Sequence, residues 1–269
     1  MSGLLVSMAH RPYVFAFLAA FLFLAIMRMG WRRTVLWLVS AYAIAWISEI
    51  SSITNGFPYG LYSYVYENMA GELMMAGVPF FDSLSYAFLT FAGFTTGEYI
   101  LLGNAKSGER RPGRALTLVF LGALLTMLLD VMVDPIATMG EKWFLGHIHT
   151  YAYPGFYFGV PLTNFGGWFI VSLAIIGLNV LLWHLCPRLL PERQKPITLD
   201  KYHGTFGRNP AGRAGIRRIF PHMYPAFYAG ISLFAIFMSF WVGEWKLGLA
   251  SSCILLGVTA VGAVKRLRA

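Results

Sequence analysis

The sequence predicts an all-α fold: a polytopic integral membrane bundle of about seven transmembrane helices. Three observations carry that prediction. Of the 269 residues, 57% are hydrophobic and only 12% are charged, about half the charged share of a soluble domain. The apolar residues gather into seven runs, each near the roughly 20 residues that a helix needs to cross a bilayer. The basic residues fall almost entirely on one side of those runs. Together these features exclude a cytosolic globular enzyme, a disordered chain and a disulfide-stapled secreted module.

The spans are read at 12–29, 33–53, 78–102, 115–138, 165–186, 223–242 and 247–264. Each must be helical, because hydrocarbon offers no partner for backbone N–H and C=O groups. The first two are divided by Arg28, Arg32 and Arg33, the third and fourth by Lys106, Arg110, Arg111 and Arg114, and the fifth and sixth by the basic, Pro- and Gly-rich loop 187–222. Lys265, Arg266 and Arg268 follow the last. That side holds 18 of the 21 Lys and Arg, and the other holds only Arg11, Lys142 and Lys246. The positive-inside rule therefore predicts an outer amino terminus and a cytoplasmic carboxyl terminus, with residues 1–269 as a single domain of the inner (cytoplasmic) membrane. The net charge of +9 orients the chain and meets anionic lipid; a nucleic-acid partner is not expected. The first span has no basic leader or cleavage site of the signal-peptide kind and is expected to stay as a helix. Cys186 and Cys253 show no metal spacing and read as packing residues.

Only twelve acids are present, and Glu49, Asp82, Glu98, Asp130 and Asp134 lie in or at the ends of spans. A carboxylate there is costly and marks a functional candidate. Glu98, at the cytoplasmic end, reads instead as an interfacial or packing residue. The other four share the outer end. Asp130 and Asp134 stand at i and i+4, so they project from one helix face, with Thr126 one turn earlier. Pro135 is expected to end the regular helix at Asp134. Glu49 sits near the carboxyl end of the second span, where the helix dipole disfavours a negative charge. Low dielectric and neighbouring acids act the same way, so at least one of Glu49, Asp130 and Asp134 is expected to carry a proton, as a general acid requires. Helix packing is the competing role for the Asp pair.

The outer loops 54–77 and 139–164 are crowded with aromatics, among them Tyr59, Tyr62, Tyr64, Tyr66, Tyr151, Tyr153, Phe156, Tyr157 and Phe158. An interfacial belt accounts for such rings in general. Rings beside a buried acid can also stabilise a carbocation, by up to about 2 kcal/mol each when desolvated. Asn55 and Asn164 lie at helix ends, where capping is the common role. His147 and His149 form an H-x-H that reads first as surface histidines and second as a metal pair.

Two membrane classes fail on these residues, and a third is kept as a minor alternative. A retinal protein needs a lysine in mid-span of the last helix, and Lys246 and Lys265 stand at its ends. Di-iron hydroxylases need clustered histidines, and the chain has six, of which only two are close in sequence. A prenyltransferase could use D-x-x-x-D for Mg²⁺, but it needs a second Asp-rich motif and a cytosolic face.

The run Glu49…NGFPYGLYSY, AGVPFF at 76–81, LLDVMVDP at 128–135 and FGVPLTNFGGW at 158–168 resembles the membrane carotenoid-biosynthesis family that contains the carotenoid 1′,2′-hydratases (bisanhydrobacterioruberin hydratases). The resemblance is best over 35–185. Leu129 replaces a family Trp, and FDSLSYAF introduces Asp82. The resemblance implies cofactor-free addition of water to the terminal double bond of an acyclic (ψ) carotenoid end group, with a lipid-soluble carotenoid as substrate and other pathway enzymes as candidate partners. It implies Asp134 or Glu49 as acid and Asp130 orienting or deprotonating the water. Tyr59, Tyr62 and Tyr64 would line the end-group pocket, with Asn55, Asp82, Tyr157, Asn164 and Trp168 nearby. A polyene of roughly 30 Å fits lengthwise in the hydrocarbon core. An isomerase or cyclase sharing the protonation step, and a non-catalytic carotenoid-binding protein, are the competing readings.

Overall fold

The structure, a computed structural model, describes residues 3–102, 113–142, 146–191 and 222–267. Most of the basic loop 187–222 therefore lies outside the described residues. A short helix α1 (Gly3–His10) leads through Arg11 into α2 (Pro12–Asn55), whose proline occupies the first turn, where a missing N–H is harmless. α2 is not one rod. Gly30 has φ +80° and ψ 165°, a conformation open to glycine, and divides it near the predicted boundary between 12–29 and 33–53. Then follow α3 (Phe80–Leu102), α4 (Arg114–Ala137), α5 (Leu162–Leu185), α6 (Met223–Trp241) and α7 (Trp245–Leu267). The fold is an all-α membrane bundle, as the sequence predicts.

Contacts along α3 show how the two limbs of α2 run. Phe15 meets Phe81, Phe21 meets Phe91 and Arg28 pairs with Glu98, so the first limb is parallel to α3. In the second limb the Trp37 indole N–H donates to the Ala87 carbonyl, while Glu49 lies beside Ser83. That limb is antiparallel. The pairing with Arg28 gives Glu98 the packing role expected of it.

Among the described residues, five helices are long and apolar enough to cross a membrane: Pro12–Asn55, Arg114–Ala137, Leu162–Leu185, Met223–Trp241 and the Trp245–Lys265 part of α7. α3 is not among them because it carries hydroxyls at Ser83, Thr90, Thr95 and Thr96, all buried. It is wrapped by protein instead of lipid, packing on α2, α4, α5, α6 and α7. Its close approach to α4 depends on glycine: a Cβ at Gly93 would come to 2.3 Å from Thr126 Oγ1. Small residues at such crossings let membrane helices pack tightly. The Thr126 hydroxyl donates to its own helix at the Gly122 carbonyl. Large apolar side chains such as Phe23, Val39, Phe120, Leu181 and Phe237 face outward, as a lipid-facing surface requires.

α4 corrects one expectation. Pro135 does not end the helix at Asp134; the helix runs on to Ala137 with Pro135 buried in its last turn. A proline this close to a carboxyl end removes only one ladder bond, and Thr138 Oγ1 donates to the Pro135 carbonyl, 2.9 Å away.

Two short sheets close the end of the bundle remote from Arg28. β1 (Tyr62–Tyr64) pairs antiparallel with β4 (His149–Tyr151), setting Tyr62 opposite Tyr151 and Tyr64 opposite His149. β2 (Met74–Met75) pairs with β3 (Val78–Pro79). The two-residue period of a strand buries Tyr62, Tyr64 and Tyr151 while Ser63 and Thr150 face out. The aromatic loops thus form an ordered roof.

Candidate active site

Beneath that roof lies a cavity of about 170 Å³. Glu49 from the second limb of α2, Asp82 from α3 and Asp130 and Asp134 from α4 all line it, together with Tyr59, Tyr62, Tyr64, Asn164 and Trp168. Nine of the eleven residues singled out from sequence therefore share one space. The other two do not. Asn55 is exposed at the end of α2, where its side-chain oxygen accepts from the Phe57 N–H at 2.9 Å; it terminates the helix and turns the chain. Tyr157 packs edge-on against Phe158 and Phe165 and does not line the cavity.

The Asp pair is joined through α5. Asn164 stands in the first turn of that helix, and its Nδ2 donates to Asp130 Oδ2 at 2.8 Å and to Asp134 Oδ2 at 3.3 Å. The Tyr151 hydroxyl donates to the same Asp134 oxygen at 2.9 Å. Asp134 Oδ1 faces His149 Nε2 at 3.5 Å. Glu49 has a different setting. It is 5% exposed and its carboxyl meets the Ser83 hydroxyl, with no cation in direct contact among the described residues. One carboxyl is thus thinly solvated by the protein, and another is surrounded by donors.

The rings are locked as well. Tyr86 stacks on Trp168 with centroids 3.9 Å apart and planes 5° apart, and Tyr59 lies tilted against both. Gly167 makes this possible, since a Cβ there would sit 2.5 Å from Tyr59 Cδ1. Ser48 and Tyr59 share a hydroxyl–hydroxyl bond of 2.8 Å. Burial, with the Glu49 carboxyl second, pushes the phenols of Tyr59, Tyr62 and Tyr64 well above their ordinary value. Burial, with Asp134 second, does the same to Tyr151. These groups are hydrogen-bond donors and π faces, not bases.

Arg11 was not predicted. It reads as one of three stray outer basic residues, yet it is 2% exposed and lines the cavity. Its Nε donates to Glu72 Oε2 at 2.8 Å, and its Nη1 pairs with Asp82. Burial works against its charge, but Asp82 and then Glu72 outweigh that and hold the guanidinium charged. Asp82 is therefore the ion-paired member of the four acids. Tyr86, Tyr151 and His149 were also not singled out as site residues. The sequence signal for Tyr151 is its place in an aromatic outer loop, and for His149 the H-x-H that reads first as surface histidines. His147 does not join His149; its Nε2 contacts Thr150 Oγ1 at 3.3 Å. Among the described residues no group of three or more His, Cys, Asp or Glu is placed to hold a metal ion.

Val14, Phe17, Phe88, Leu89, Ile231 and Phe234 add an apolar lining. Four acids and a set of buried rings thus share one cavity with apolar side chains at one end of a membrane bundle. The family model described as "Carotenoid biosynthesis protein" matches residues 10–240, and the chain belongs to that family. The bisanhydrobacterioruberin hydratase of Haloarcula japonica is 29% identical over 147 residues, covering 54% of this chain and 44% of the relative. The match thus spans less than half the length of that curated relative. No solved structure matches the chain.

Proposed function

We propose that the chain hydrates the terminal C1′=C2′ double bond of an acyclic (ψ) carotenoid end group without a cofactor, giving a tertiary 1′-alcohol. The observation that carries this reading is the meeting of Glu49, Asp130 and Asp134 in one ring-lined cavity. Its size suits the end of a polyene, since a dry cavity of about 150 Å³ takes a molecule of benzene's size. The rest of the chain would run along the Phe17, Phe88 and Phe234 wall into the membrane. The name of the Haloarcula japonica relative supports the same chemistry.

In this mechanism a proton passes from a carboxyl group to C-2′, leaving a tertiary cation at C-1′. Water adds to C-1′, and its surplus proton passes to a carboxylate, so the net change is one water added. Of the two candidate acids, the hydrogen bonding favours Glu49. The donors around Asp134 suit a group that accepts a proton, with Asp130 and Asn164 fixing its position. The Tyr59, Tyr62, Tyr64 and Tyr86 faces lie around the carbon that becomes positive. The arginine-rich side of the bundle would lie in the cytoplasm, so the cavity opens toward the outer leaflet of the inner membrane, and residues 1–269 act as one unit.

Expression in hosts that make lycopene or γ-carotene, followed by mass analysis of the pigments, tests this. A gain equal to one water supports hydration. An isomer of unchanged mass would replace it with an isomerase or cyclase, and unchanged pigment with both substrates would leave a binding protein.

A further inference from the structure

We propose that Asp134 Oδ1 and His149 Nε2 together form the seat of the attacking water, which makes His149 a positioning group for the nucleophile. This deepens the hydration reading and rests on it. The two oxygens of Asp134 are not equivalent. Oδ2 accepts from the Tyr151 hydroxyl and from Asn164. Oδ1 has His149 Nε2 at 3.5 Å, beyond the range of an N–H···O bond. His149 Nε2 is itself buried and makes no hydrogen bond with the described residues, a state that calls for an explanation in a folded protein.

The imidazole is held in a three-ring cluster with Tyr62 and Tyr151, whose rings also meet each other at 6.0 Å. The Tyr62 ring meets it edge-on at 5.6 Å and the Tyr151 ring at 5.1 Å, with Tyr64 opposite it in the β1–β4 register. Asp134 is the carboxyl that faces it, and both residues line the cavity. A buried water needs two to four polar partners, and these two atoms supply two of them with cavity on the remaining side. A water bonded to both would present its free lone pair to C-1′. As the C–O bond forms, the oxygen sheds one proton to Asp134 Oδ1. The C–H bond at C-2′ has already taken one from the acid, so the protons balance through exchange with solvent between turnovers.

The test separates protonation of the alkene from capture of the cation. Membranes holding the wild-type chain, His149→Phe or His149→Gln are supplied with the carotenoid in D₂O. Alcohol formed and deuterium in the recovered alkene are both measured. His149→Phe keeps a ring against Tyr62 and Tyr151 but has no nitrogen. Alcohol should fall about 100-fold, the scale of a misplaced reactant, while deuterium still enters the alkene near the wild-type rate. His149→Gln, whose amide can bond a water, should recover a large part of the alcohol. Undiminished alcohol in His149→Phe would overturn the proposal, as would parallel loss of alcohol and deuterium uptake from protein that still accumulates. Wild-type protein giving neither alcohol nor deuterium uptake would remove the hydration reading beneath it.

Discussion

Replacing Asn164 by leucine tests whether the two α4 carboxyls work as a unit. Both side chains branch at Cγ into two terminal atoms, so the change removes the donors and keeps the branched outline, although leucine is the bulkier. Asn164 is 3% exposed, and water cannot easily take its place. Losing the 2.8 Å bond leaves Asp130 Oδ2 buried without that donor, which costs about 1–3 kcal/mol. The 3.3 Å bond to Asp134 adds less, which brings the expected loss to about 2–4 kcal/mol. Asn179 is the matched control. It sits on the same helix, fully buried, and donates to Ser40 Oγ and the Ile175 carbonyl, away from the cavity. Thermal unfolding in detergent should show both Asn164→Leu and Asn179→Leu destabilised. Only Asn164→Leu should also lose product per folded molecule, by about 30-fold or more if the carboxyls swing apart. Wild-type product per folded molecule in Asn164→Leu would refute the joint role of Asp130 and Asp134.

Other outcomes follow from the same geometry. Glu49→Gln keeps a partner for Ser83 but removes the transferable proton, so pigment conversion should drop by about 100-fold or more while the protein accumulates normally on immunoblots. Gly167→Ala drives a methyl into Tyr59 Cδ1 and the Pro58 carbonyl; it should cost about 1–3 kcal/mol in denaturation midpoints and weaken conversion. Arg11→Leu leaves Glu72 and Asp82 without their cation and should cost about 3–5 kcal/mol, read as loss of folded protein in size-exclusion profiles. Because burial raises the Tyr62, Tyr64 and Tyr151 phenols, the folded state holds these protons when an unfolded tyrosine, near pH 10, loses them. Stability should therefore decline as pH rises above about 10, and tyrosinate absorbance should appear together with unfolding.

The sequence makes the helices legible because runs of apolar residues bounded by charge are local signals. The break at Gly30 and the shared face of Asp130 and Asp134 belong to the same kind of pattern. The approach of Glu49 to that face was inferred only from both lying at one end of the bundle. What the sequence hides is non-local. Nothing near Arg11 shows that Glu72 and Asp82 converge on it, so a lone arginine before a proline reads as a surface charge. The pairing of β1 with β4 joins segments on either side of two long helices, and with it comes the Tyr151 hydroxyl on Asp134. Asn55 misleads because an amide after a polar helix end can cap as readily as line a pocket. Asn164 does cavity duty from an equivalent location, and the difference lies in which way each helix end points.

The β1–β4 roof restricts how this protein can vary. Exposed loops generally tolerate inserted residues, and these two are long enough to suggest the same latitude. A single residue added within one strand would reverse inside and outside for the side chains on one side of it, delivering Ser63 to the chamber in the first strand or Thr150 in the second, with a buried tyrosine turned outward in exchange. Length changes in these segments should be accepted at the turns and rejected between Tyr62 and Tyr64 or between His149 and Tyr151, so that two three-residue stretches far apart in the gene share one reading frame of inside and outside.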